Sequence, residues 1–180
     1  MTEILEGATQ GVVSALVKIP DNNYDDLNDF YGNHGENLGY LYLTGDKCSL
    51  TSEYPMYMGD VKITRICMNK KIISAMIRIF NKTLEHYGLE KIVKLGLDQY
   101  GGCLNVRLKK GSKTEWSTHS WGIAVDMDPL NNTIHMSWEE SRFSAPIYAP
   151  FIQFWYDEGF ENLGKSHNFD SMHFQACKGR

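Results

Sequence analysis

The sequence predicts an α+β fold, a small antiparallel sheet packed with helices, on three observations. Helical and strand-like segments follow one another without repeated strand-helix-strand units. One segment, Asn69 to Tyr87, has the three-to-four-residue apolar spacing of a helix, whereas Ile123 to Met127 alternates like a strand. The chain of 180 residues, 42% hydrophobic and 22% charged, is the size and balance of one globular domain spanning 1–180.

Taken in order, residues 4–17 form a first helix, and Asn22 or Asn23 caps a short second one through Tyr24, Leu27 and Phe30, stopped near Gly32. Leu38 to Leu43 is a short strand, turned by Gly45-Asp46. In the Asn69–Tyr87 helix the stripe Ile72, Ile73, Met76, Ile77, Phe80, Leu84 and Tyr87 is core, with Gly88 as its stop. Strands are expected at 91–97 and 104–108, separated by a Gly101-Gly102 break. In the 123–127 strand, Ile123, Val125 and Met127 share one face while Ala124, Asp126 and Asp128 share the other, and Pro129 ends the run. A last helix, apolar nearly all round, covers 145–157 and ends at Gly159.

Composition also narrows function. A net charge of -4 and a pI near 5.8 leave no basic footprint for nucleic acid or an anionic membrane. The longest apolar stretch, Ile72 to Phe80, is broken by Ser74 and Arg78 and falls far short of the roughly 20 residues a membrane helix requires, so no membrane insertion is expected. The acidic N-terminus has no basic n-region, so no signal peptide is visible. Cys48, Cys67, Cys103 and Cys177 are too scattered for a thiolate knuckle or a disulfide framework and read as small apolar residues.

The chemistry lies in two segments. Ser117 to Asp126 places His119 and Asp126 seven positions apart around a small-residue turn, and Asp170-Ser171-Met172-His173-Phe174 offers a second imidazole with a carboxylate three residues before it. Zinc accepts neutral His nitrogen and Asp oxygen, and a catalytic zinc keeps three protein ligands and one open position. His119, Asp126 and His173 are therefore the candidate ligands for Zn2+, and Asp170 the carboxylate able to reach a water at the open position.

These residues resemble the zinc D-alanyl-D-alanine carboxypeptidases and dipeptidases of the vancomycin-resistance type, together with phage L-alanyl-D-glutamate endopeptidases. The hallmark Ser-x-His-x-x-Gly-x-Ala-x-Asp, then Asp or Glu-x-x-His, is matched by Ser117, His119, Gly122, Ala124, Asp126, Asp170 and His173. The likeness extends upstream to Tyr100-Gly101-Gly102-Cys103-Leu104-Asn105-Val106-Arg107, the stretch that contributes an arginine in that family, and more faintly to Phe30-Tyr31-Gly32-Asn33. It departs at Gly164 to Phe169, where the nearest subgroup often has a tryptophan.

The resemblance implies a zinc site at the sheet edge of a metallopeptidase, with the stem peptide of bacterial peptidoglycan as substrate. Asp170 is then general base and acid, and Arg107 either steadies the oxyanion or forms a structural ion pair. Ser117 contacts substrate or a ligand, or is a plain turn residue. Trp121 lines the cleft or fills core. Asp128 holds a ligand histidine in its tautomer or is a solvated carboxylate. His135 and His167 need no role, and Gly101, Gly102 and Gly122 serve turns and close packing.

Within the family an L-alanyl-D-glutamate endopeptidase is expected first. A D-Ala-D-Ala carboxypeptidase, or a non-catalytic wall-binding or virion module keeping the fold, is the alternative. Such a protein, expected as a monomer, is made in a bacterial host cytoplasm and acts at the cell wall, after release or as a virion component.

Overall fold

A computed structural model describes residues 19–180, and the helix expected over 4–17 lies outside them. Helix α1 (Tyr24–Tyr31) starts where the Asn23 side chain accepts a 3.0 Å hydrogen bond from the Asp26 backbone N–H, and it stops at Gly32. Strand β1 (Leu38–Tyr42) pairs antiparallel with β4 (Arg65–Asn69), and between them lies the hairpin of β2 (Tyr57–Met58) and β3 (Val61–Lys62). The sequence reading places no strand between residues 57 and 69.

Helix α2 (Ile73–Lys94) follows a short 3-10 turn and buries Met76, Ile79, Phe80 and Tyr87. The rest of the expected stripe, Ile73, Ile77 and Leu84, packs partly buried against the same core. Gly88 kinks this helix instead of ending it, and the strand expected at 91–97 is replaced by its last turn, which ends at Lys94, and by a turn over 95–98. Only Ile92 is buried between Leu89 and Lys94, while Leu89 and Val93 are exposed, so this stretch has one core anchor and no alternating face.

A four-stranded antiparallel sheet positions everything that follows. Its order is β5 (Tyr100–Gly102), β6 (Ala124–Met127), β8 (His173–Gln175) and β7 (Glu161–Asn162). Two further expectations are corrected here. Gly101 and Gly102 lie within β5 rather than breaking the chain, and residues 104–107 run irregularly with a single bridge from Leu108 to Trp116. A Cβ on Gly101 would meet the Asp126 Cβ at 2.8 Å, so the bare glycine lets β5 close onto β6.

Alternation divides the sheet into two faces. Val125, Met127 and Phe174 are fully buried on the core side, whereas Asp126, His173 and Gln175 look the other way. The core face packs on α3 (Ala149–Asp157), entered through a 3-10 turn at Pro146–Tyr148. There the Phe174 ring stacks on Trp155 at 4.4 Å between centroids, with Phe151 and Phe143 edge-on at 5.9 and 5.8 Å. Burying each such ring is worth roughly 1.5–3 kcal/mol, so β8 is anchored from behind along its length. A short helix, α4 (Leu163–His167), leads back toward β8. No helix among the described residues is long and apolar enough to cross a membrane.

The turn into β6 depends on Gly122. Its φ is 64°, and an added Cβ would lie 3.0 Å from the Asn69 nitrogen and 3.2 Å from the Met68 Cα, both backbone atoms of β4. Gly122→Ala therefore combines left-handed strain with a clash that no rotamer relieves, and it should lower stability by about 1–3 kcal/mol. Urea unfolding would show this as a reduced midpoint with unchanged slope.

Candidate metal centre

Three donors meet on the exposed side of the two inner strands. Asp126 on β6 stands directly opposite His173 on β8 in the antiparallel register, and His119 comes from the 3-10 turn Thr118–Trp121 just before β6. One ligand atom from each lies within 4.8 Å of the others, forming the group able to hold a metal ion among the described residues. The expected location at the sheet edge is thus refined to its central pair.

Each imidazole is committed to one tautomer by its outer neighbours. His119 Nδ1 lies 2.6 Å from the Cys103 carbonyl and can only donate to it, which turns the lone pair of Nε2 toward Asp126 Oδ2 at 3.3 Å. His173 is reversed. Its Nε2 faces Gln175 Oε1 at 3.2 Å and Thr118 Oγ1 at 3.1 Å, and its Nδ1 faces Asp126 Oδ1 at 3.0 Å. The Gln175 amide cannot be flipped, because its NH2 donates to the Gly179 carbonyl at 2.5 Å and toward the Cys177 carbonyl at 3.4 Å. Oε1 must accept, so His173 Nε2 carries the proton.

Two imidazole lone pairs and a carboxylate therefore converge, all acceptors. Such a cluster is stable only with protons or a cation between its members. Tetrahedral zinc with ligands at about 2.0–2.1 Å sets them about 3.3–3.4 Å apart, and the two histidine nitrogens lie 3.3 and 3.0 Å from the two oxygens of Asp126 with the three donors all within 4.8 Å. The electrostatics run the same way. Burial raises the Asp126 carboxyl, but hydrogen bonds and charge from His119 and His173 outweigh it and hold the group well below the usual carboxylate range. Burial likewise lowers His173, and is outweighed by Asp126, Asp170 and Gln175, so its imidazole sits above the ordinary range.

A cleft of about 200 Å³ opens over these donors, lined also by Arg107, Ser117, Ile134, Phe169 and Asp170. Asp170 is buried, and its Oδ1 has no hydrogen-bond partner among the described residues. Burial pushes its carboxyl upward, only partly countered by the charges of His173, His119 and Arg107. Its backbone is left-handed at φ 57°, held by its N–H donating to the Ile134 carbonyl at 3.2 Å and its carbonyl accepting from His173 N–H at 3.0 Å. Asp170 is thus presented to the cleft by a conformation that costs a non-glycine residue about 1–3 kcal/mol.

The other candidates divide. Arg107 is exposed, lines the cleft, donates to the Leu108 carbonyl at 3.1 Å and forms no ion pair among the described residues. Ser117 lines the cleft, but its hydroxyl caps nothing. Trp121 is 1% exposed and donates from Nε1 to Asn28 Oδ1 at 2.9 Å, placing it in the core, with its edge on a neighbouring cavity. Asp128 does neither thing expected of it. Its φ of 45° turns it out of the strand alternation, and its buried carboxylate meets Arg142 at 3.1 Å with Asn131 and Asn132 as further donors. His135 and His167 are exposed and do not line the cleft.

Several supporting residues escape the sequence reading. Ser120 accepts from the Arg107 N–H at 3.0 Å and donates to the Arg107 carbonyl at 2.8 Å, pinning that segment's backbone beside the site. Gln175 had a signal, since it lies two positions after His173 on one strand face. The Cys103 carbonyl had none, because a backbone group from a distant irregular segment leaves no mark on residue identity.

Comparison with known proteins falls on this region. Residues 110–176 match the model of a family described as D-alanyl-D-alanine carboxypeptidase. No curated protein and no solved structure matches the chain. The matched span holds His119, Asp126, Asp170, His173 and Gln175, leaves Arg107 just ahead of it, and supports a metallopeptidase reading of the segment that forms the His-Asp-His group.

Proposed function

We propose that this protein is a zinc-dependent peptidase that cleaves the stem peptide of bacterial peptidoglycan, of the L-alanyl-D-glutamate endopeptidase type. One observation carries the reading: His119, Asp126 and His173 converge within 4.8 Å in a cleft that also holds a buried, unpartnered oxygen of Asp170. The protein acts as a monomer at the cell wall, after release from a host cytoplasm or as part of a virion.

His119 through Nε2, Asp126 through a carboxylate oxygen and His173 through Nδ1 would hold the ion. When bound, zinc supplies Lewis acidity, which polarises the scissile carbonyl and makes water acidic near neutral pH. Asp170 Oδ1 takes the proton of the attacking water. Its raised proton affinity suits the second task, delivering that proton to the departing nitrogen. Arg107, a cation at the cleft without a carboxylate partner among the described residues, stabilises the negative charge that develops on the carbonyl oxygen. Ser117 lies on the same wall and contacts the peptide.

A second reading, D-alanyl-D-alanine carboxypeptidase, is favoured by the description of the matching family. Mass spectrometry of digested peptidoglycan fragments separates the two by which new terminus appears. A non-catalytic module would leave every bond intact with zinc bound, an outcome that would overturn the peptidase reading.

The roles assigned here predict different failures for different residues. Asp170→Ala should keep its zinc and lose about 10²–10⁴-fold in turnover; loss of metal instead would make Asp170 a ligand. His119→Ala should lose zinc first, measured by metal analysis after dialysis, with its circular dichroism largely retained. Gln175→Ala should weaken zinc binding about 10–100-fold by freeing the His173 tautomer. Nitrogen NMR of the metal-free protein should then show the His173 proton no longer confined to Nε2.

A further inference from the structure

A second cavity of about 460 Å³ adjoins the metal cleft, and the two share Asn22, Lys109 and Arg180 in their walls. Its remaining lining is mainly aromatic and polar: Tyr24, Trp116 and Trp121, beside Asn23, Thr114 and Glu115, with Leu27 as the one aliphatic member. Tyr24 is 46% exposed and Trp116 is half-buried, so both can still meet a ligand. The rings are held rigidly. His34 stacks on Trp116 at 4.1 Å between centroids and 28° between planes, and Tyr24 stands edge-on to Trp121 at 5.9 Å.

This chemistry selects among the parts of a wall fragment. An aliphatic side chain would want an apolar pocket, and a carboxylate would want free cations, whereas Lys109 is paired with Glu115 at 3.2 Å and the Arg180 guanidinium lies over the Phe169 ring at 4.0 Å. A sugar ring wants both halves of what is present. Its C–H face is attracted to the negative face of an aromatic ring, and its hydroxyl and acetamido groups need the planar and hydroxyl side chains at the rim.

We infer that the cavity of Tyr24 and Trp116 is a subsite for the amino sugar that bears the stem peptide. The inference rests on the proposed function and sharpens it. In the endopeptidase reading only one amino acid separates the sugar from the scissile bond, so the sugar falls in the adjoining cavity. In the carboxypeptidase reading four residues intervene, an extended span of about 13–14 Å, and the sugar lies well beyond the shared wall.

The test compares a synthetic stem peptide with the same peptide carrying N-acetylmuramic acid on its N-terminus, using the zinc-loaded full chain. The sugar-bearing peptide should be cut with a kcat/KM about tenfold higher, mainly through KM. Tyr24→Ala and Trp116→Ala should each erase that difference while the bare peptide is cut at the wild-type rate. Equal kcat/KM for the two peptides in the wild type, or a preference surviving both variants, would overturn the subsite.

Calorimetry with the disaccharide N-acetylglucosaminyl-N-acetylmuramic acid separates this from failure of the peptidase reading. If neither peptide is cut but the disaccharide binds and both variants abolish its binding, the subsite stands and the peptidase reading falls. If the disaccharide does not bind and no sugar preference exists, the subsite falls alone.

Discussion

Asp126 and His173 face each other across two antiparallel strands, and the rest of the site is arranged around that pairing. A carboxylate and an imidazole nitrogen 3.0 Å apart on neighbouring strands need their register kept to the residue, since a slip of β8 by one would send His173 into the core. The aromatic packing behind β8 prevents the shift. Phe174, between His173 and Gln175, is locked by Trp155, Phe151 and Phe143, so a slip would have to expose a fully buried ring. Core packing and metal geometry are two faces of one strand.

The same logic explains why the site is assembled from distant parts of the sequence. His119 and Asp126 arrive together because a 3-10 turn feeds directly into β6, closed at Gly122 against the backbone of β4. Asp170 and His173 arrive together through a left-handed residue that turns one carboxylate into the cleft just before the strand begins. Arg107 has no regular element to hold it, and Ser120 supplies that restraint through two hydrogen bonds to its backbone.

How much of this was legible depends on whether a residue's own identity records its role. The candidate metal ligands His119, Asp126 and His173 and the candidate base Asp170 do, since metal and proton chemistry restrict residue type, and the alternation of 123–127 placed Asp126 opposite the core face. The Asn23 cap and the Asn69–Tyr87 stripe were likewise readable from local chemistry. Long-range facts were not. The pairing of β1 with β4 follows from contacts across more than twenty residues, and residues 91–94 continue the helix past Gly88 with Ile92 as their one buried side chain. Asp128 misled because strand alternation assumes extended backbone, and its φ of 45° departs from it.

Gln175 anchors His173 on one side and the carbonyls of Cys177 and Gly179 on the other. The orientation of a candidate metal ligand is therefore referred to the peptide groups that follow β8, a stretch whose backbone is tied by one bridge, from Lys178 to Asp21. Fraying there would release the glutamine amide and let the imidazole ring exchange its proton between nitrogens without any strand separating. That stretch works as a guy-line on the candidate centre, so a pull on the Gly179 carbonyl reaches His173 through a single side-chain amide, that of Gln175.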